Sequence, residues 1–270
     1  MQQTYNTMLG GDELSDHYYP FEVYNNIIKM LSYRKLTLVK AATYSGEQRA
    51  EPLDKTTFTK LFQYHQYILV TAKDAPDKER RPLKSAAKHT RDPANYPTWT
   101  YVLLVMPGAT HLSKSANLEK LIKTVGLSAP PKDRNIEVLL VHEDEFTSNL
   151  VNKLVSYNFN GVLKGNNNNG DPIETLTGYQ QIQTVPYYIL TTERPKHVLC
   201  PPHIPLTKSE EKQIMRTLRV EKSGLPVIRH NEPMGIWYGL TIGSVVKVIV
   251  DSETTGTGVK YCVVRPGPSH

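Results

Sequence analysis

LPVIRHNEPMGIWYGLTIGSVVKVIVDSETTG, residues Leu225 to Gly256, sets the reading of the chain. Val245, Val246, Val248, Ile249 and Val250 form a β-branched run between Gly243 and the turn-rich SETTG, which predicts a strand with both faces at least partly buried. VKYCVV, Val259 to Val264, predicts its partner, paired back across a Ser252 to Gly258 turn where Gly256 and Gly258 accept positive φ. Upstream, Pro233 fixes φ near a helical value, so MGIWYGL predicts a short helical turn that carries Ile236, Trp237 and Leu240 onto the sheet and ends at Gly239 or Gly243.

Working outward, the order of LP-x-I, an acidic residue before Pro233, YGL, a G-x-V-V-K-V-I core and SETTG resembles one family. The resemblance continues upstream through Lys196, His197, Pro201, Pro202, His203 and LTKSEEKQIM. It points to the shared small subunit of nuclear RNA polymerases, the archaeal H subunit family and fifth subunit of eukaryotic RNA polymerase II, in a divergent or viral member. About the last quarter of the chain carries it. Glu232 stands where Asp is usual, Ile236 where a basic residue is frequent and Thr255 where Ala is common, and GPSH extends past the final strand.

The resemblance implies an α/β chain, α+β overall, with an amino-terminal α/β jaw domain and a small carboxy-terminal mixed β-sheet assembly domain. It implies a non-catalytic subunit of a multisubunit DNA-directed RNA polymerase, without a cofactor, metal or small-molecule substrate of its own. Expected partners are the largest polymerase subunit, other polymerase subunits and downstream double-stranded DNA, with no membrane. The expected partner interface is His197, His203, Pro226, Ile228, Pro233, Trp237, Tyr238, Gly239 and Lys247, although ordinary core packing is the favoured reading of Trp237 taken alone. The expected location is the nucleus, or the virion or cytoplasm of an infected cell for a viral member. The alternative is a free-standing nucleic-acid-binding or nuclease-like protein that shares the assembly module.

Composition agrees with these expectations without selecting among them. A chain of 270 residues, 39% apolar, can bury one large core or two modest ones. Its formal net charge of +6 suits an anionic partner. Cys200 and Cys262 lie far apart and outside any C-x-x-C spacing, which argues against a disulfide framework or a structural zinc site. No apolar run approaches the roughly 18 residues that span a bilayer. The start, MQQTYNTMLGGDELSD, lacks the charged and apolar regions of a signal peptide, so an intracellular, soluble protein is expected.

The expected organisation is a mobile segment over 1–19, a jaw domain over 20–157, a low-complexity linker or insertion over 158–183 and the assembly domain over 184–270. Val23, Ile27, Ile28 and Leu31 recur at helical spacing after Pro20. A second helix is predicted near Lys55 to Gln63. YILVTA (Tyr67 to Ala72), TYVLLVM (Thr100 to Met106) and IEVLLV (Ile136 to Val141) read as buried strands, with helices across Lys114 to Val125 and Glu145 to Ser156. NGVLKGNNNNG is too polar and glycine-rich to fold by burial, and PYYILT, Pro186 to Thr191, reads as a strand closing the first domain.

Two stretches suggest DNA. LLVMPGATHLSKSANL is similar to the family's apolar strand followed by G-x-T-P-S-A-K, with His111 and Leu112 replacing the proline spacing. Free N–H groups at a helix start, the hydroxyls of Thr110 and Ser113 and the amine of Lys114 together attract a phosphate, and the same hydroxyls equally serve as plain helix caps. The basic cluster containing Lys78, Arg80, Arg81 and Lys84 suits a DNA path or a solvated loop, since Asp74, Asp77, Glu79 and Asp92 are interspersed. Thr110, Ser113, Lys114, Arg80, Arg81 and Lys84 are therefore the DNA-proximal candidates. HVLCPPH offers His197, Cys200 and His203, but an extended chain points Cys200 away from both histidines, which argues against a metal. No aspartate run able to hold two magnesium ions and no nucleotide-binding or nucleophile-elbow motif occurs, and Glu137 has no lysine two positions on.

Overall fold

The computed structural model describes residues 18–62, 64–79, 96–107, 134–143, 162–166, 172–176, 180–252 and 256–266. Helix α1, Tyr18–Tyr33, buries Val23, Tyr24, Ile27, Met30 and Leu31 along one stripe, as its spacing predicts. It stops where Lys35 turns left-handed at φ 53°. Strand β1, Leu36–Tyr44, then forms a hairpin with β2, Glu47–Arg49, and α2, Lys55–Phe62, follows. Strands β3, Tyr67–Asp74, and β5, Asn135–His142, each extend the expected strand by two residues in all, and β4, Thr98–Val105, starts two residues before the expected Thr100 and ends one before Met106.

The hairpin β1–β2 was not expected from the sequence. Its pairing with β3 is irregular between Leu38 and Lys40 and again between Lys40 and Thr43, so no clean alternation of apolar and polar residues survives for a reader of periods. β6, Val162–Asn166, and β7, Pro172–Leu176, pair as a two-stranded hairpin inside the expected linker. Backbone pairing between two strands close in sequence satisfies the peptide groups locally, which composition cannot show. β8, Gln180–Pro186, comes next, and the YYIL expected as strand is a helical turn, α3, Tyr187–Leu190. Pro186, at φ −62° and without an N–H for the ladder, marks the change from strand to helix.

Six strands form one sheet in the order β2-β1-β3-β4-β5-β8. It is antiparallel from β2 to β4 and parallel from β4 through β5 to β8. β8 thus completes the amino-terminal sheet while straddling the boundary expected between the linker over 158–183 and the assembly domain over 184–270. β5 is buried along nearly its whole length, as parallel strands usually are. The expected helices over 114–125 and 145–156 lie outside the described residues.

The carboxy-terminal unit is a four-stranded sheet, ordered β10-β12-β11-β9, built from β9, His203–Pro205, β10, Val227–Arg229, β11, Val245–Ser252, and β12, Gly256–Arg265. β11 and β12 pair from Val245 opposite Val263 to Ser252 opposite Gly256, which has φ 72°, as the valine run and glycine turn predict. Alternation sends Val245 and Val263 to one face, where they pack with Ile214 and Met215 of α4, Lys208–Leu218. Val246, Val248, Cys262 and Val264 pack on the other face with Met234 and Tyr238 of α5, Pro233–Tyr238. α4 begins with a capping box in which Thr207 and Glu210 exchange side-chain and backbone hydrogen bonds. The mixture of helices with two mixed sheets is the α+β architecture read from the sequence.

Candidate assembly surface

Pro233 opens α5 and Gly239, left-handed at φ 57°, closes it, as the sequence suggests. Its side chains divide differently from expectation. Met234 lies on the small sheet, Ile236 and Trp237 enter the core beneath the six-stranded sheet with Tyr24, Ile27 and Ile189, and Tyr238 packs against both. Trp237 is completely buried; its ring meets Tyr33 edge-on at 5.7 Å and its Nε1–H donates to the Ile189 carbonyl at 3.1 Å. On so short a helix, neighbouring residues about 100° apart face different neighbours, so α5 joins the two units. Trp237 therefore has no surface left for a second protein.

Around α5 the two units are joined by polar groups, some buried and some at the surface. Arg34 donates from Nε to the Ile236 carbonyl at 2.8 Å and from Nη1 to Glu137 Oε1 at 2.9 Å. Thr100 Oγ1 donates to Glu137 Oε2 at 2.9 Å. Burial would raise the Glu137 carboxyl, but the charges of Arg34 and Lys78 and the Thr100 bond bring it below its usual range. On the other side of α1, Glu193 gathers Lys196 at 2.9 Å, the Tyr33 hydroxyl at 2.8 Å and Lys29 at 3.1 Å. The Lys196 bond, with those of Tyr33 and Lys29, takes the Glu193 carboxyl down to about 2. Burial and then the Glu193 bond push the Tyr33 hydroxyl up to about 12. Arg34 and Glu193 carry no motif, and Glu137 entered the sequence reading only as a poor nuclease candidate. Glu137 is an isolated charge within an apolar run, a signal that gains meaning only with its partner in place, whereas Arg34 beside Lys35 and Glu193 beside Arg194 give no such signal.

The remaining interface candidates divide by exposure. His197, Pro226 and Gly239 are exposed, while Pro233, Tyr238 and Lys247 are half-buried. Ile228 is buried in the small-sheet core. His203 is buried, stacks on Tyr238 at 6.3 Å and shares its Nδ1 with the Pro201 carbonyl at 2.6 Å. Burial lowers its pKa despite that carbonyl and the charge of Glu232. Lys247 sits between Ile204 and Tyr261 on neighbouring strands. Residues 197–200 are a turn rather than an extended strand, closed by Cys200 N donating to the His197 carbonyl at 2.9 Å, because the chain leaves a 3-10 turn at Arg194–Lys196 and then meets two prolines. At its tip Val198 and Leu199 are 92% and 82% exposed, a feature hydropathy alone reads as buried.

Both cysteines are free. Among the described residues no group of three or more histidine, cysteine or acidic side chains could hold a metal, and no helix is long and apolar enough to cross a membrane. The DNA-proximal candidates Thr110, Ser113, Lys114, Arg80, Arg81 and Lys84 lie outside the described residues. Lys78, from the same basic cluster, pairs within the chain with Asp74 at 3.1 Å.

The small mixed sheet thus presents an apolar turn, Val198–Leu199, beside half-buried polar side chains. Residues 193–264 match the family described as RNA polymerase Rpb5, C-terminal domain. The subunit rpabc1 of DNA-directed RNA polymerases I, II and III from Dictyostelium discoideum is 42% identical over 65 residues, covering 24% of this chain and 33% of the relative. The corresponding subunit RPABC1 from Caenorhabditis briggsae is 35% identical over 69 residues, covering 26% of this chain and 33% of the relative. The chain thus spans about a third of the length of these curated relatives, and the family resemblance read from the tail holds within that span.

Proposed function

We propose that the chain is a non-catalytic subunit of a multisubunit DNA-directed RNA polymerase and acts in the nucleus. The observation that carries this reading is the match over residues 193–264, which covers the whole four-stranded sheet except the last residue of β12, together with α4 and α5. In this reading the small sheet docks on the largest polymerase subunit, and the amino-terminal unit serves as a jaw beside downstream duplex DNA. His197, Pro226 and Lys247 offer side chains to the partner. The apolar tip Val198–Leu199 next to His197 supplies what a docking anchor needs, aliphatic area already outside the core.

The test is co-purification of the tagged full chain with polymerase. Val198→Asp combined with Leu199→Asp is expected to reduce recovery of the largest subunit at least tenfold with an unchanged melting temperature, since neither side chain lies in a core. Undiminished recovery removes the tip from the interface. On the assembled polymerase, Lys114→Ala is expected to flatten the dependence of log affinity for downstream duplex on log salt by about one unit. An unchanged slope returns Thr110 and Ser113 to plain helix capping.

A further inference from the structure

At the far end of the six-stranded sheet, the β1–β2 turn and α2 enclose a cleft of about 300 Å³, lined among others by Tyr44, Ser45, Glu47, Arg49, Lys60 and His65. We propose that this cleft binds a phosphate monoester, with Arg49 and Lys60 supplying charge and the Ser45–His65 pair supplying a neutral donor.

The residues are held in place for this. Arg49 is anchored through Nε, which donates to the Tyr44 hydroxyl at 3.1 Å, leaving the outer guanidinium nitrogens for an anion. Tyr44 is itself buried and lies 5.0 Å from the His65 ring. Ser45 Oγ and His65 Nδ1 are 2.9 Å apart. If Ser45 donates, His65 retains a donor on Nε2; if Nδ1 donates, the Ser45 hydroxyl proton is left, so either tautomer gives the cleft one unspent donor. Ser45 and Gly46 occupy the turn at φ 41° and 87°. Asn or Gly suits the first of these positions better, so the serine is strained, and its hydroxyl is what a Gly would lack.

The charge balance selects the ligand. Among the described residues no ion pair engages Arg49 or Lys60, and Glu47 is the one acid lining the cleft. Two cations, one acid and one neutral donor leave this small cleft a net charge of +1, an attraction suited to one phosphate group. A nucleic-acid backbone calls instead for a row of cations along its path.

The experiment titrates the full chain with inorganic phosphate at constant ionic strength, following the His65 ring signals by NMR and the heat by calorimetry. Saturable one-to-one binding centred on His65 is expected. Arg49→Ala and Lys60→Ala should each weaken it by roughly tenfold or more, the scale of one lost charge-assisted hydrogen bond, without moving the melting temperature. Ser45→Gly should also weaken binding while leaving the fold as stable or more so, because it relieves the left-handed serine. Lys212→Ala, on exposed α4, should change nothing. The proposal is overturned if phosphate produces no saturable shift at His65, if Lys212→Ala weakens binding as much as Arg49→Ala, or if a duplex oligonucleotide moves the His65 signals more than phosphate does at equal phosphate concentration.

Discussion

Trp237 is the largest fully buried side chain among the described residues, and its alanine variant should lose about 3–5 kcal/mol in urea unfolding followed by far-ultraviolet circular dichroism. A loss below about 1 kcal/mol would show that the ring is not seated in the amino-terminal core. At Arg34 the outcome depends on what is left behind. Arg34→Met strands the Glu137 carboxylate and should destabilise clearly, whereas the added change Glu137→Gln should recover part of the loss, because the residual cost is an unpaired charge. Glu193 links the seam to pH. Its ordinary value of 4.5 falls to about 2 in the folded chain, so its contribution is fully present above about pH 4.5 and is lost as pH falls toward 2. Glu193→Gln should flatten the stability profile in that acidic window and leave the neutral range with the same slope.

α5 is the element whose length and ends were legible in the sequence and whose partners were not. Pro233 and Gly239 mark it, but nothing in MGIWYG says that Met234 faces one sheet, Ile236 and Trp237 another core, and Tyr238 both. Two glycines make the seating testable. A Cβ at Gly235 would lie 2.6 Å from the carbonyl oxygens of Arg229 and His230, backbone that cannot swing aside. At Gly239 it would lie 3.1 Å from the Arg34 side chain, at φ 57°. Gly235→Ala should therefore cost more than Gly239→Ala, for which about 1 kcal/mol of left-handed strain is expected, and the reverse order in thermal melts would show α5 seated otherwise. β11 and β12 were readable because β-branched residues and a glycine turn fix both strand and register. β1 was hidden by irregular pairing, and β8 by its glutamines, which an edge strand of the sheet tolerates. The buried strands β3, β4 and β5 were legible from continuous apolar runs, although their order in the sheet was not.

For the molecule as a whole, the two sheets meet through α1, α3 and α5, with Asn26 donating to the Leu190 carbonyl at 2.8 Å beside the Trp237–Ile189 bond. Cutting away residues 196–270 would strip Ile236 and Trp237 from the amino-terminal core, so a truncated chain that fails to assemble would report unfolding as readily as a lost interface. Surface changes at Val198 and Leu199, which leave that core intact, separate the two. The candidate interface was legible as a sequence region, since the family pattern spans it, but only the fold separates side chains turned inward, such as Trp237 and Ile228, from those left outside, such as His197 and Pro226. The most direct test is affinity purification of the full tagged chain from its native source, followed by size-exclusion chromatography and mass spectrometry of the peak. The account predicts elution in a megadalton-scale assembly that contains the largest RNA polymerase subunit and extends RNA on a DNA template; elution alone near 30.6 kDa, with no polymerase subunit in the peak, would contradict it.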